Sequence, residues 1–170
     1  MVEAGILTED DRVELIDGQV VEKSPIGKRH ASAVNRGTRV MNRLLGDRAI
    51  VSVQGPVQIG DGSQVQPDLA LLRSREDFYA GQYPQAGDVL LLLEVAESSL
   101  LVDRNQKVPV YAREMVSEVW LVNLLNDTVE VFRGPEHGAY VDQSVAQRGE
   151  VLSPREFPDL EIRVEDLTGA

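Results

Sequence analysis

The sequence predicts an α/β fold: a mixed, twisted central β-sheet flanked by helices, with an N-terminal β-hairpin. Three observations predict it. Residues 89–95 (VLLLLEV) form a nearly unbroken apolar run, the pattern of a central strand buried on both faces. Residues 28–46 carry an apolar stripe at helical spacing, through Ala33/Val34, Gly37, Val40/Met41 and Leu44/Leu45. Short apolar runs bounded by turn residues fill much of the remainder.

The elements follow in order. Residues 13–16 (VELI) and 19–22 (QVVE) flank Asp17-Gly18, a hairpin signal, because a type I′ turn needs positive φ at both central positions. Lys23-Ser24-Pro25-Ile26-Gly27 then breaks the chain. The helix over 28–46 stops at Gly46. Arg29, Arg36, Arg39 and Arg43 fall within about 80° of arc opposite its apolar stripe, at 100° per residue. Strands are expected at 49–53, 56–59 and 68–72, with a turn at Asp61-Gly62, and 73–88 reads as a polar loop. Beyond the apolar run, 103–115 reads as a helix although Pro109 lies inside it. Residues 118–123 (EVWLVN) and 128–133 (TVEVFR) read as strands around an Asn126-Asp127 turn. A strand at 139–145 and short pieces over 150–164 complete a single domain spanning 1–170. Trp120 belongs to core or interface packing.

Composition narrows the function classes. The net charge of −11 opposes an anionic membrane surface and broad, nonspecific nucleic-acid binding. The absence of cysteine removes disulfides, thiolate nucleophiles and cysteine zinc sites, and His30 and His137 are too few for a His-rich centre. The longest purely apolar run, 89–93, is far short of the ~20 residues that span a bilayer. The opening MVEAGILTEDDR is acidic and has no apolar segment, so it reads as no signal peptide and the chain as cytoplasmic. Charge is uneven. Residues 23–48 hold seven bases and one acid, Asp47, whereas 61–170 hold twenty acids and nine bases.

Two carboxylates carry the chemistry. Asp68 follows Pro67 at the start of one expected strand, and Glu94 interrupts the end of the apolar run. A carboxylate there is costly to bury unless it meets a cation or a hydrogen-bond donor. If their strands pair, Asp68 and Glu94 offer Mg²⁺ the oxygen ligands that this hard ion prefers. The next lysine is Lys107, four residues after Asp103, and it is placed to stabilise a phosphate transition state or to pair with Asp103.

The ordered set ELIDG (14–18), VVEKSP (20–25), His30, VQGP (53–56), QPDLALL (66–72), LLEVAESSLLVDRNQK (92–107), Tyr111-Ala112 and SEVWLVN (117–123) resembles the Uma family of endonucleases. That family lies in the PD-(D/E)XK superfamily with the restriction-endonuclease-like fold. The resemblance implies that Asp68 and Glu94 are metal ligands, helped by the Val95 carbonyl. The parent pattern has Lys two positions after that Glu, where this chain has Ala96, and the resemblance moves the role to Lys107. Glu14 would be the upstream acid, with Glu22 as competitor, and Gln54 would line the site. Pro109 departs from the helix expected after the lysine and predicts a kink there.

Other roles stay open at this level. Glu14 also reads as a cross-strand partner on an exposed face, and His30 as a partly buried residue opening the helix. The stripe of Arg36, Arg39 and Arg43 reads either as phosphate contacts or as a solvated face. The function expected is Mg²⁺-dependent hydrolysis of nucleic-acid phosphodiesters, with DNA as partner, Mn²⁺ as a second metal, no membrane and a homodimeric assembly using apolar strands and Trp120. The alternative is a catalytically silent binding protein on the same fold.

Overall fold

The computed structural model of the protein describes residues 11–169. The segment on which the absence of a signal peptide was read lies almost wholly outside them. The first hairpin pairs β1 (Val13–Ile16) with β2 (Gln19–Glu22), in register from Val13↔Glu22 to Ile16↔Gln19. Asp17 and Gly18 take φ of 50° and 75°, both positive as the type I′ turn requires. Helix α1 (Lys28–Leu45) buries Ala33, Val34, Gly37, Met41 and Leu45 and ends at Gly46. Gly37 lets the helix lie close to the sheet: a Cβ there would come within 2.8 Å of the Leu69 side chain.

Strands β3 (Ala49–Val53), β4 (Val57–Gln58), β5 (Gln64–Val65), β6 (Leu69–Arg73) and β7 (Val89–Ala96) come next. Every residue of β7 is buried, as its apolar run requires. Residues 100–113 run as α2 (Leu100–Val102), a π-helical turn (Asp103–Lys107) and α3 (Val108–Arg113). In place of the kink expected from Pro109, the helix widens by one residue just before it. Pro109 has no N–H, and its ring would press on the carbonyl four residues back; the wider turn, in which Val108 N–H donates to the Asp103 carbonyl, relieves this. Strands β8 (Glu118–Asn123), β9 (Thr128–Glu136) and β10 (Ala139–Ala146) follow, then β11 (Val151–Leu152), β12 (Ile162–Arg163) and α4 (Val164–Thr168).

The central sheet has six strands in the order β10-β9-β8-β7-β6-β3. Only β7 and β8 are parallel, joined by the 100–113 helix, so the sheet is mixed as expected. The hairpin joins a second, four-stranded sheet, β2-β1-β5-β4, rather than standing alone. The central sheet separates two cores. On one face α1 packs on Leu69, Leu71, Leu91, Leu93 and Trp120. On the other, α3 and the small sheet pack on Ala70, Leu92, Ala96, Val119 and Leu121. Trp120 is fully buried and its indole N–H donates to Glu118, so it is a core residue and offers nothing to an interface.

Candidate active site

The register of β6 and β7 decides where the two predicted carboxylates go. Leu69 pairs with Leu93 and Ala70 with Leu92. One step further, Asp68 falls opposite Glu94. Opposed residues of an antiparallel pair share a face, here the face that α3 covers. Both carboxylates line one narrow cleft of ≈ 70 Å³.

Asp68 sits in the turn into β6 and is buried. Its Oδ2 accepts the Val95 N–H at 2.8 Å and faces His30 Nε2 at 3.1 Å. Gln54, with φ of 52°, holds it twice: its main-chain N–H donates to the Asp68 carbonyl and its side-chain amide to Oδ1 at 3.3 Å. Burial disfavours the charged carboxylate, but His30 and the Val95 N–H outweigh it and lower its pKa. In turn the hydrogen bond to Asp68, opposed by burial, raises the pKa of His30. His30 Nδ1 is buried without a hydrogen-bond partner.

Glu94 and Lys107 meet on the other wall. The Lys107 ammonium lies 2.6 Å from Glu94 Oε1, 3.1 Å from Glu14 and 3.7 Å from Asp103. The π turn brings both Asp103 and Lys107 into the interior. Burial works against a charged lysine, but the three carboxylates outweigh it and raise its pKa. For Glu94 burial dominates, with Asp103, Asp68 and Glu14 adding to it and Lys107 opposing, and pushes its pKa up to about 8. The Tyr111 hydroxyl donates to the same Oε1 at 2.7 Å. Tyr111 is the residue the sequence left without a role, its only signal being its place in a quoted motif, whereas Asp103 meets Lys107 as the four-residue spacing allowed.

Glu14 is not on an exposed face. The small sheet buries it, and it accepts the Gln66 N–H at 2.7 Å besides meeting Lys107. Glu22 is exposed at the rim, so Glu14 is the acid that reaches the lysine. The arginine stripe lies elsewhere. Arg36, Arg39 and Arg43 sit about 120–180° round α1 from His30, which points at the cleft. Arg36 donates to the Leu167 and Thr168 carbonyls and to Ser32, which fixes it on α4; Arg39 and Arg43 are exposed. The three arginines therefore do not form one free phosphate-binding row.

The donor set suits a hard divalent cation in chemistry. Asp68 and Glu94 offer carboxylate oxygens, and both donors on Glu94 use Oε1, leaving Oε2 to the cleft side of the pair. Three carboxylates meet two ammonium groups, Lys107 against all three and Lys23 against Glu14 at 3.8 Å, a surplus of buried negative charge that a proton or a cation would relieve. Among the described residues no three His, Asp or Glu side chains are gathered so as to hold an ion by themselves, so ligation here needs main-chain oxygen or water as well.

A six-stranded mixed sheet with an acid before β6, a second acid near the end of β7 and a lysine on the following helix defines an α/β protein of the restriction-endonuclease-like class. The chain belongs to the Uma2 family, described as "Putative restriction endonuclease", whose model matches residues 3–165. Its fold is similar to the crystal structure of a "putative nuclease belonging to DUF820" from Anabaena variabilis ATCC 29413, with a TM-score of 0.78 over 98% of this chain and 95% of that chain. Identity is 17%, so this likeness is one of fold. No curated protein matches the sequence at a significant level.

Proposed function

We propose that the protein is a Mg²⁺-dependent nuclease that hydrolyses phosphodiester bonds, with DNA as its substrate and Mn²⁺ able to replace Mg²⁺. The observation that carries this reading is the β6–β7 register, which sets Asp68 across from Glu94 with Lys107 already bonded to the second. Asp68, Glu94 and the Val95 carbonyl would hold the metal, which when bound supplies an acidified water and charge neutralisation at the phosphate. The chain's own residues do the rest. His30, Gln54 and the Val95 N–H keep Asp68 anionic and fix its orientation. Tyr111 fixes Glu94. Lys107 stays charged and faces the cleft, where it stabilises negative charge developing on the phosphate. Glu14 and Asp103 hold the lysine in place.

One observation favours a second reading, a nuclease-fold protein that binds without cutting: Lys107 bridges Glu94 and Glu14 directly, so the lysine itself neutralises the carboxylates. A cleavage assay with Mg²⁺ and with Mn²⁺ on single-stranded, double-stranded and branched DNA separates the two. Metal-dependent cleavage lost in Asp68→Ala supports the nuclease. Binding without cleavage by the wild type supports the alternative.

We also infer a symmetric dimer. With Trp120 buried, the surface for it is the open edge strand β10, where Val141 and Val145 are exposed. A monomer by light scattering at micromolar concentration ends that inference. Among the described residues no helix is long and apolar enough to cross a membrane.

A further inference from the structure

The groups that would act on a phosphodiester are deep. Asp68, Glu94, Lys107 and Glu14 are 4%, 3%, 3% and 6% exposed, and the cleft over them holds ≈ 70 Å³. A duplex is a stiff rod, with a persistence length of about 50 nm, so its backbone enters such a recess only when strongly distorted. A single strand bends at each nucleotide and can present one phosphate at a time.

The mouth of the cleft is asymmetric in charge. On the side of the small sheet, Arg12 and Lys23 line it. Arg12 donates to the Ser24 carbonyl, and Lys23 donates to the Gln66 carbonyl and lies 3.8 Å from Glu14, which sets both cations in place along the edge of the hairpin. The rim also holds two acids, Glu22 and Glu97, and Glu97 is paired with Arg29 at 3.4 Å. The chain over 61–170 is acidic, with twenty acids against nine bases, and this net charge opposes a long duplex lying across the molecule. No Phe, Tyr or Trp is among the described residues lining the cleft, whose single aromatic ring is the His30 imidazole bonded to Asp68, so bases find no broad stacking platform and the phosphates must do the holding.

From this geometry we propose that the cleft takes a single-stranded or frayed nucleic-acid segment, seated by its phosphates on the lip of Arg12 and Lys23 and held with little regard to base. The proposal rests on the nuclease reading above and adds the form of the substrate and the residues that seat it.

The test measures binding by fluorescence anisotropy in Ca²⁺ buffer, and cleavage in Mg²⁺ and Mn²⁺. The probes are a fluorescein-labelled single-stranded oligonucleotide, its blunt duplex, and that duplex with a single-stranded flap. The single strand and the flap should bind at least about tenfold more tightly than the blunt duplex, a difference of about 1.4 kcal/mol. Neutralising the two lip cations, Arg12→Gln with Lys23→Gln, should flatten the slope of log K against log salt by about 1.4, at about 0.7 per single-strand phosphate contact. An unchanged melting temperature shows that the double variant is folded. Equal or tighter binding of the blunt duplex overturns the proposal, and so does an unchanged salt slope. If neutralising Arg39 and Arg43 abolishes binding while the lip variant keeps it, the strand runs over α1 and the lip is wrong. If no probe is bound or cut and Mg²⁺ gives no thermal stabilisation, the nuclease reading itself falls, and this proposal with it.

Discussion

Two glutamates are buried on neighbouring central strands, and the fold treats them in opposite ways. Glu118 opens β8 and is fully enclosed. Its Oε1 accepts the Trp120 indole N–H and the Arg133 guanidinium, each at 2.7 Å, and its Oε2 accepts the Arg155 N–H at 2.7 Å. Both oxygens are bonded and one countercharge answers one carboxylate. Glu94, on β7, takes both its donors on a single oxygen, shares its lysine with Glu14 and Asp103, and faces a cleft. Removing a carboxylate from water is tolerable when donors and countercharge match it one for one. Where carboxylates outnumber cations, the arrangement lowers stability and fits a site that expects a further partner.

The sharpest way to break this contrast is to remove each carboxylate's support in turn. Glu118→Ala leaves the indole, the Arg155 N–H and the Arg133 guanidinium without their acceptor. Loss of one partner from a buried pair costs about 3–5 kcal/mol, toward the lower end here because Arg133 retains access to water. Urea unfolding should show the midpoint falling at constant slope, while any Mg²⁺-induced thermal shift persists. A neutral outcome would mean that Glu118 is not the structural member of the pair.

The next effect is on turnover. Lys107→Ala should leave metal binding intact, because an ammonium repels a cation rather than ligating it. Cleavage should fall by roughly 10²–10³, about 2.7–4 kcal/mol, if the loss resembles that of one oxyanion-hole donor. Lys107→Arg keeps the charge in a planar group of different reach, so rescue should be partial at best. Calorimetric titration with Mg²⁺ alongside single-turnover cleavage reads the two quantities separately. If Lys107→Ala abolishes metal binding as Asp68→Ala does, the lysine is a structural support of the carboxylates and not part of the chemistry.

How far the sequence revealed this arrangement depends on element length. Strand β8 occupies the six residues expected before the Asn126-Asp127 turn, β7 the continuous apolar run, and the Asp17-Gly18 turn the two positions expected to have positive φ. The small sheet was hidden because β5, which joins the hairpin to β4 within the strand expected at 56–59, has two residues, too few to show a period. Its invisibility misled the reading of Glu14, whose burial comes from that sheet packing over the site. The π turn was hidden for another reason: Pro109 signals an interruption but not its form, and the form determines that Lys107 turns inward. Arg36 looked solvated because α4, whose carbonyls it caps, left no clear mark in the sequence.

The last expected effect is the one that isolates Glu94. Burial raises its pKa from an ordinary carboxylate value to about 8 in the fold. Between those two values the folded state holds a proton that the unfolded chain has lost. Stability therefore falls as pH rises through that window, in metal-free buffer, and levels off above pH 8. His30, whose pKa Asp68 raises, contributes a fall of the same sign that begins only near its ordinary value of about 6.5. Lys107 is charged across the whole window and adds no slope there. Glu94→Gln mimics the protonated side chain and removes only the Glu94 share. Melting temperatures of variant and wild type should lie close together at pH 5 and diverge toward pH 8, with the variant the more stable. Mg²⁺ should reverse the order at pH 8, because it favours the ionised carboxylate of the wild type and finds one ligand fewer in the variant. Parallel curves with and without Mg²⁺ would place Glu94 beside Glu118 as a structural carboxylate and dissolve the contrast between the two strands.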